Sequence, residues 1–306
     1  MIKGFLTACA LALSFAAAHA QTKVTIAATA AGDLGSGFLG VTEGAFAKRG
    51  LDVDFKMVTV NSMMPAMLVS DTMQMAATTS SVLIQAVDSG LDLVAIAGSG
   101  VADAKQELFG AVMKADIAWS KPEDYIGKKI GVPGVGAFLH VLFVNWLLEK
   151  GVDPKRVTFV EVAFPQMQDL LKQGTVDGVV TAEPIMSRIV AENIGKYTTN
   201  FAEVLPVELP VIIYSATRKW AQANPQVVKA FRETIAEMSI VANRRDKTVR
   251  DAIGKFVPMP PPVIASMKLG YWNDRVTEPG LAGWVNIMKR QGMLTGSVDV
   301  KKLMVE

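Results

Sequence analysis

The spacing of apolar and polar residues changes period along the chain, and each change marks an element. Val24 to Ala28 is a short apolar run, the sign of a buried strand. A glycine-rich stretch follows. Phe38 to Lys48 is then helix-like, and Arg49 with Gly50 closes it, a cation and a glycine both favouring a helix C-terminus. Leu51-Asp52-Val53-Asp54-Phe55 alternates with period two and predicts a strand. Helix and strand then take turns: Met64 to Ser70 as helix, Gln74 to Ala77 as buried strand, Val82 to Gly90 as helix and Leu93 to Ala97 as strand. This βαβα rhythm predicts a mainly parallel sheet covered by helices.

The second third of the chain repeats the first. Met167, Leu171, Thr175, Asp177, Val179 and Thr181 match Met64, Leu68, Thr72, Gln74, Ala76 and Thr78 at one constant offset, and Val157 to Val162 mirrors Val53 to Val58. Two similar α/β lobes account for this. The second opens at Lys121-Pro122-Glu123-Asp124, a helix-capping turn leading through Gly127 into the strand Lys128 to Val132; the helix Ala137 to Lys150 follows and Gly151 closes it. The extended apolar stretches Phe109 to Met113 and Val211 to Tyr214 flank this lobe, so the chain is expected to enter and leave it through a two-strand hinge. Beyond Thr217 it returns to the first lobe. Asn224-Pro225 is an N-cap with proline at the first helical position, Val227 to Ala242 carries a helical apolar stripe, and Met259-Pro260-Pro261-Pro262 breaks the chain before a last helix around Leu281 to Arg290. The expected fold is α/β: two Rossmann-like lobes, one made of residues 21–110 and 215–306, the other of residues 111–214.

The first twenty residues read differently. Lys3 supplies a positive start, Gly4 to Ala18 carries no charge, and Ala18-His19-Ala20 is an A-x-A cleavage pattern before Gln21. A membrane anchor would need about 20 apolar residues, more than are present here. Leu6-Thr7-Ala8-Cys9 resembles a lipoprotein box but comes before an apolar core of ordinary length is complete. Residues 1–20 are therefore expected to be a cleavable signal peptide and the protein to be periplasmic.

Composition narrows the function. Half of the residues are hydrophobic, and 31 Lys and Arg stand against 29 Asp and Glu. That is neither the basic excess of a nucleic-acid binder nor the apolar-poor mixture of a disordered chain, so no nucleic acid is expected as a partner. Removing residues 1–20 takes away Cys9 and His19, leaving no cysteine and His140 alone. Disulfides, thiolate metal sites, iron–sulfur clusters and histidine metal clusters are thereby excluded. There is no G-x-S-x-G elbow, no G-x-x-x-x-G-K-[ST] loop and no pair of histidines, so no enzyme activity, cofactor or metal is expected.

Candidate contacts lie at strand-to-helix turns. Gly35-Ser36-Gly37-Phe38-Leu39-Gly40 has the G-x-G-x-x-G spacing, with Asp52 and Asp54 placed as a ribose-binding acid would be. Thr29 to Leu34 intervenes between strand and first glycine, however, which argues against a dinucleotide turn. Gly35, Ser36, Gly37 and Phe38 then read either as a backbone approach to a ligand at a helix N-terminus or as a connecting loop. Thr78-Thr79-Ser80-Ser81 gathers hydroxyls and N–H groups at a sheet edge, suited to a polar or anionic group, or caps the next helix. Gly134-Val135-Gly136-Ala137-Phe138 is the corresponding turn of the second lobe, and His140 lies one helical turn further on. Glu183, before Pro184, either accepts from a ligand N–H or favours a helix dipole. Phe164 and Tyr214 are candidates for the pocket wall or for packing.

Taken together the chain resembles the substrate-binding proteins of bacterial ABC transporters for nitrate, sulfonates and taurine, grouped with binders of thiamine-pyrimidine precursors. The resemblance rests on Gly44-Ala45-Phe46-Ala47-Lys48-Arg49-Gly50-Leu51-Asp52-Val53, similar to the family's G-x-F-x-K-x-G-L-x-V, and on Lys128 to Pro133, Gly151 to Pro154, Glu183-Pro184 and the tail Gln291-Gly292-Met293-Leu294 before Val298-Asp299-Val300. It implies a type II periplasmic-binding-protein fold whose lobes close on a small solute. It also implies a permease partner in the inner membrane and a protein that acts as a monomer. Relatives with serines in the second-lobe turn differ from this chain, where Gly134 to Ala137 has none, and the candidate loops carry no Arg or Lys. The expected solute is an organic molecule with one acidic or polar end, sulfonate-like, and an apolar body. An exported nicotinamide-dependent oxidoreductase and a sensory module of the same fold are the alternatives.

Overall fold

A computed structural model describes residues 21–205, 208–244 and 247–305; the expected signal peptide, residues 1–20, lies outside them. The chain begins with β1 (Thr22–Ala28), whose inner half is fully buried, then α1 (Gly35–Thr42), β2 (Leu51–Met57), α2 (Met64–Val69), β3 (Met75–Thr79), α3 (Ser80–Asp88) and β4 (Leu93–Gly98). β1 pairs parallel with β2 and β3, joining Val24 to Val53 and Ile26 to Phe55. The alternation in Leu51 to Phe55 is that of a strand at the sheet edge, with Leu51, Val53 and Phe55 buried. Two residues further on, β5 (Val101–Ala102) crosses to the second lobe.

The second lobe follows as β6 (Phe109–Lys114), β7 (Lys129–Val132), α4 (Phe138–Glu149), β8 (Thr158–Glu161), α5 (Met167–Gln173), β9 (Gly178–Ala182), α6 (Ile185–Ala191) and β10 (Gly195–Thr199). The chain returns through β11 (Leu209–Pro210) into β12 (Ile212–Thr217) of the first sheet. It ends in α7 (Arg218–Ala223), α8 (Pro225–Ala242), α9 (Lys247–Phe256), α10 (Pro261–Ser266) and α11 (Glu278–Arg290). The sheets have one plan. Strand order is β2-β1-β3-β12-β4 in the first and β8-β7-β9-β6-β10 in the second, and in each the fourth strand is antiparallel to its neighbours. The sequence repeat is thus a repeat of elements: β9 begins as far beyond β3 as Met167 lies beyond Met64.

Three expectations are refined or corrected. Four of the five strands in each sheet share one direction, as expected, but β12 and β6 enter from the crossover and run against them, so the sheets are mixed. Phe109 to Met113 and Val211 to Tyr214 do not form the hinge; they belong to β6 and to the β12 region, while Leu209 and Pro210 pair with Ala102 and Val101 as the two crossing strands. The helix expected over Phe38 to Lys48 instead starts at Gly35 and ends at Thr42. Bare glycines there let it lie against the core, since a Cβ at Gly35 would stand 2.6 Å from the Trp272 ring and one at Gly37 would collide with the Tyr214 hydroxyl. Phe38, stacked on Phe256 at 4.3 Å and edge-on to Phe55, anchors α1 over the first sheet. In the second lobe, Tyr125, Phe143 and Trp146 form the matching aromatic cluster.

Candidate functional site: a cavity between the two sheets

The carboxyl ends of parallel strands in both sheets point at one another, and a cavity lies where they meet. From the first lobe come Thr29, Ala31 and Asp33 after β1, Asn61 after β2, Thr79 at the end of β3 and Ile212 at the start of antiparallel β12. From the second come Pro133 and Ala137 to Leu139 after β7, Phe164 after β8 and Ala182 at the end of β9. Ligands of open α/β sheets bind at such strand ends. The enclosed space measures about 30 Å³, room for about one or two waters. The lobes are therefore closed, and any organic solute requires them to separate. Larger hollows of about 690 and 780 Å³ lie around Arg232 and Lys301 and around Lys105 and Arg250, but neither gathers strand ends from both sheets.

Of the hydroxyl cluster, the cavity receives Thr79 alone. The Thr78 hydroxyl donates to the Ile213 carbonyl (3.2 Å) and lies 3.0 Å from that of Ser215, and the Ser80 hydroxyl donates to the Pro210 carbonyl (2.6 Å), so both fasten β3 to the returning chain. The Thr79 hydroxyl meets only that of Ser81, at 3.3 Å, and its N–H donates to Asn61 Oδ1 (2.8 Å). No side chain caps α3, and its first N–H, that of Ser80, donates to the Val211 carbonyl (3.0 Å).

The second-lobe turn differs from expectation in the same manner. Val135 N–H donates to Glu161 Oε1 (2.9 Å), Gly136 N–H to His140 Nδ1 (3.0 Å) and Ala137 N–H to the Gly134 carbonyl (3.1 Å), so the turn's own donors are engaged within the protein. Free donors lie one step further on. Ala137 has no side chain that can cap α4, and the N–H groups of Phe138 and Leu139 are without acceptors among the described residues. The N-termini of α3 and α4, one from each lobe, thus bring positive dipole ends to the cavity, and α4 adds two unpaired donors.

His140 is a structural residue. Besides accepting from Gly136 it lies edge-on against Phe159 at 4.5 Å, and burial pushes its imidazole down to about 4, so it is neutral at physiological pH. Glu183 accepts from Ser187 through both the N–H (3.2 Å) and the hydroxyl (2.7 Å), fastening the first turn of α6, while burial raises its carboxyl. Gly35, Ser36, Gly37 and Phe38 lie inside α1 and do not border the cavity; Ser36 meets Ser99 at 3.2 Å. No pyrophosphate can be cradled by glycines packed under Trp272 and Tyr214, which removes the dinucleotide reading of this motif. Tyr214 is fully buried behind α1 and does not border the cavity either, whereas Phe164 does.

Sequence reasoning missed Asn61 and Asp33. Asn61 stands at the same place in the first repeat as Phe164 in the second, and Thr79 at that of Ala182, so the repeat itself carried the signal. Asp33 lies in the turn between β1 and α1 and is half-buried. Its backbone carbonyl accepts from Ser99 Oγ (2.8 Å) and Trp272 Nε1 (3.0 Å), while its carboxylate has no partner among the described residues. Burial pushes that carboxyl up to about 6, with no basic group drawing it back.

Among the described residues no helix is long and apolar enough to cross a membrane, and no cluster of His, Cys, Asp or Glu could hold a metal ion. Two curated proteins are similar in part. The taurine-binding periplasmic protein of Escherichia coli K12 is 32% identical over 127 residues, 40% of this chain and 39% of that protein. The nitrate/nitrite binding protein of Nostoc is 28% identical over 123 residues, 40% of this chain and 28% of that one. The matched stretch thus spans well under half the length of either relative. In fold, the alkanesulfonate-binding protein of Xanthomonas axonopodis bound to MOPS superposes with a TM-score of 0.80 at 15% identity, covering 93% of this chain and 98% of that one. Residues 37–239 match the NMT1/THI5-like profile, which takes in the second sheet, the crossing strands and all of the first sheet but β1, with Thr29, Ala31 and Asp33 of the cavity lying before it, and the chain belongs to that family.

Proposed function

We propose that this protein captures a small organic solute, an organic acid or sulfonate-like anion, between its lobes in the periplasm and delivers it to the permease of an ABC importer. The observation that carries this is the enclosed cavity at which strand ends of both lobes converge with the unpaired N–H groups that open α4. The free N–H groups of Phe138 and Leu139 suit an anionic end, and Phe138, Leu139, Phe164 and Ile212 suit an apolar body. A solute that touches both lobes interacts better with the closed form, so binding shifts the hinge equilibrium, and closure is what a permease reads. No bond is made or broken. In this reading the protein works as a monomer without nucleic acid, and the relatives named as periplasmic support its location.

The test is a thermal-shift screen of protein unfolded and refolded to strip any bound solute, against sulfonates, carboxylates, aromatic acids, amino acids, pyrimidines and NAD(P). Solute at 100 times its Kd adds about 2.7 kcal/mol and raises the midpoint by several degrees. One chemical class of organic anions giving that shift is the expected result. A shift with NAD(P) alone overturns it.

A further inference from the structure

Resting on that reading, we propose that the solute carries a protonated amine and that Asp33 is the residue that selects it. Asp33 borders both the interlobe cavity and a smaller adjoining space, about 10 Å³, that reaches beneath Glu183, Lys268 and Gly270. Its turn is fixed from behind, because the backbone carbonyl holds Ser99 and Trp272. The carboxylate itself meets bare backbone. A Cβ at Gly100 would lie 2.7 Å from the Asp33 Cβ and 3.0 Å from Oδ1, and one at Gly270 would lie 3.9 Å from Oδ1.

The neighbouring charges leave Asp33 unbalanced. The Lys268 ammonium is paired with Glu107, and Glu183 is held by Ser187. The lining of the interlobe cavity contains no Lys or Arg. A half-buried carboxylate without a partner is costly, and it repels a solute that is only anionic. A cation supplied by the solute removes both penalties. An amine suits the position better than a metal ion, since one carboxylate with bare backbone around it cannot supply the six or more oxygen ligands calcium takes. With helix N–H groups at one side and Asp33 at the other, the cavity matches a molecule charged at both ends.

Matched probes test this: 2-aminoethanesulfonate against ethanesulfonate, 4-aminobutanoate against butanoate, and 4-(aminomethyl)benzoate against 4-methylbenzoate, each titrated into the native protein and Asp33→Asn. The expected result is that in at least one pair the amine binds ten-fold tighter or more than its partner, and that Asp33→Asn abolishes the difference while its melting transition remains cooperative. The proposal is overturned if no amine exceeds its partner or if the preference survives in Asp33→Asn. Binding of the amine-free anions alone would end this proposal and leave the solute-binding reading standing; binding of no probe in any pair would count against both.

Discussion

Asp33 and His140 pull the pH dependence of folding in opposite directions. Asp33 has an ordinary carboxyl value of 3.8 and is pushed up to about 6 by burial, so folding takes up a proton between those values. Its unfavourable charge burial is relieved as the pH falls through 6 and is fully present above it. Asp33→Asn is therefore expected to stabilise the solute-free protein by roughly 1–3 kcal/mol at pH 7.5 and to change little at pH 4, read by urea unfolding at both. His140 behaves inversely: held neutral down to about 4 against an ordinary 6.5, it releases a proton on folding, and stability is lost as the pH falls between those values. His140→Asn keeps an acceptor for the Gly136 N–H. It should flatten the acid side of the profile, and an unchanged acid slope would remove His140 from the account. Neither residue's environment was legible locally. A lone histidine and a turn aspartate carry no sign of the chain segments that bury them.

At the scale of elements, α1 shows what sequence reading captures and where it stops. The helical stretch was legible from Phe38 onward, but its first turn reads as loop because glycine is a poor helix former. What makes those glycines helical is tertiary: Trp272 and Tyr214 occupy the volume a Cβ would need. Gly37→Ala should then cost about 1–3 kcal/mol by overpacking, despite the better helix propensity of alanine. Tyr214→Phe removes the colliding hydroxyl, which lies near Ser99 but makes no hydrogen bond of good geometry among the described residues, and alone should change stability by less than about 0.5 kcal/mol. Combined with Gly37→Ala it should recover part of the loss, and full additivity of the two changes would refute the contact. The site was legible in the same partial sense. Strand-to-helix turns are visible in sequence, so Thr79, Ala137, Phe138 and Phe164 were within reach. The hydroxyls of Thr78 and Ser80 bond to β12 and to Pro210 of β11, which arrive from far along the chain and leave no local mark.

For the whole molecule the question is what holds the lobes shut. The crossing strands β5 and β11 are two residues each, which suits a hinge but gives little resistance to rotation. Closure instead rests on contacts away from it. Gln85 of α3 donates to the Gly136 carbonyl of the second-lobe turn at 2.7 Å, and Gly136, at φ +80°, leaves room for the carboxamide. At the far side, α11 lies across both lobes: Trp284 donates to the Pro210 carbonyl (2.7 Å), Arg290 pairs with Glu149 (2.5 Å) and Gln291 donates to the Val141 carbonyl (2.9 Å). The Arg290 pair is exposed and contributes little, while the Gln85 bond is partly sheltered and joins the two lobes directly. A net contribution of about 1 kcal/mol for that bond corresponds to roughly a five-fold change in the ratio of closed to open molecules. Gln85→Ala is therefore expected to enlarge the radius of gyration of the solute-free protein in small-angle scattering while leaving its urea midpoint nearly unchanged. A scattering curve identical to that of the native protein would mean that α11, not the Gln85 bond, sets the closed state, and Gln291→Ala would then be the variant that opens it.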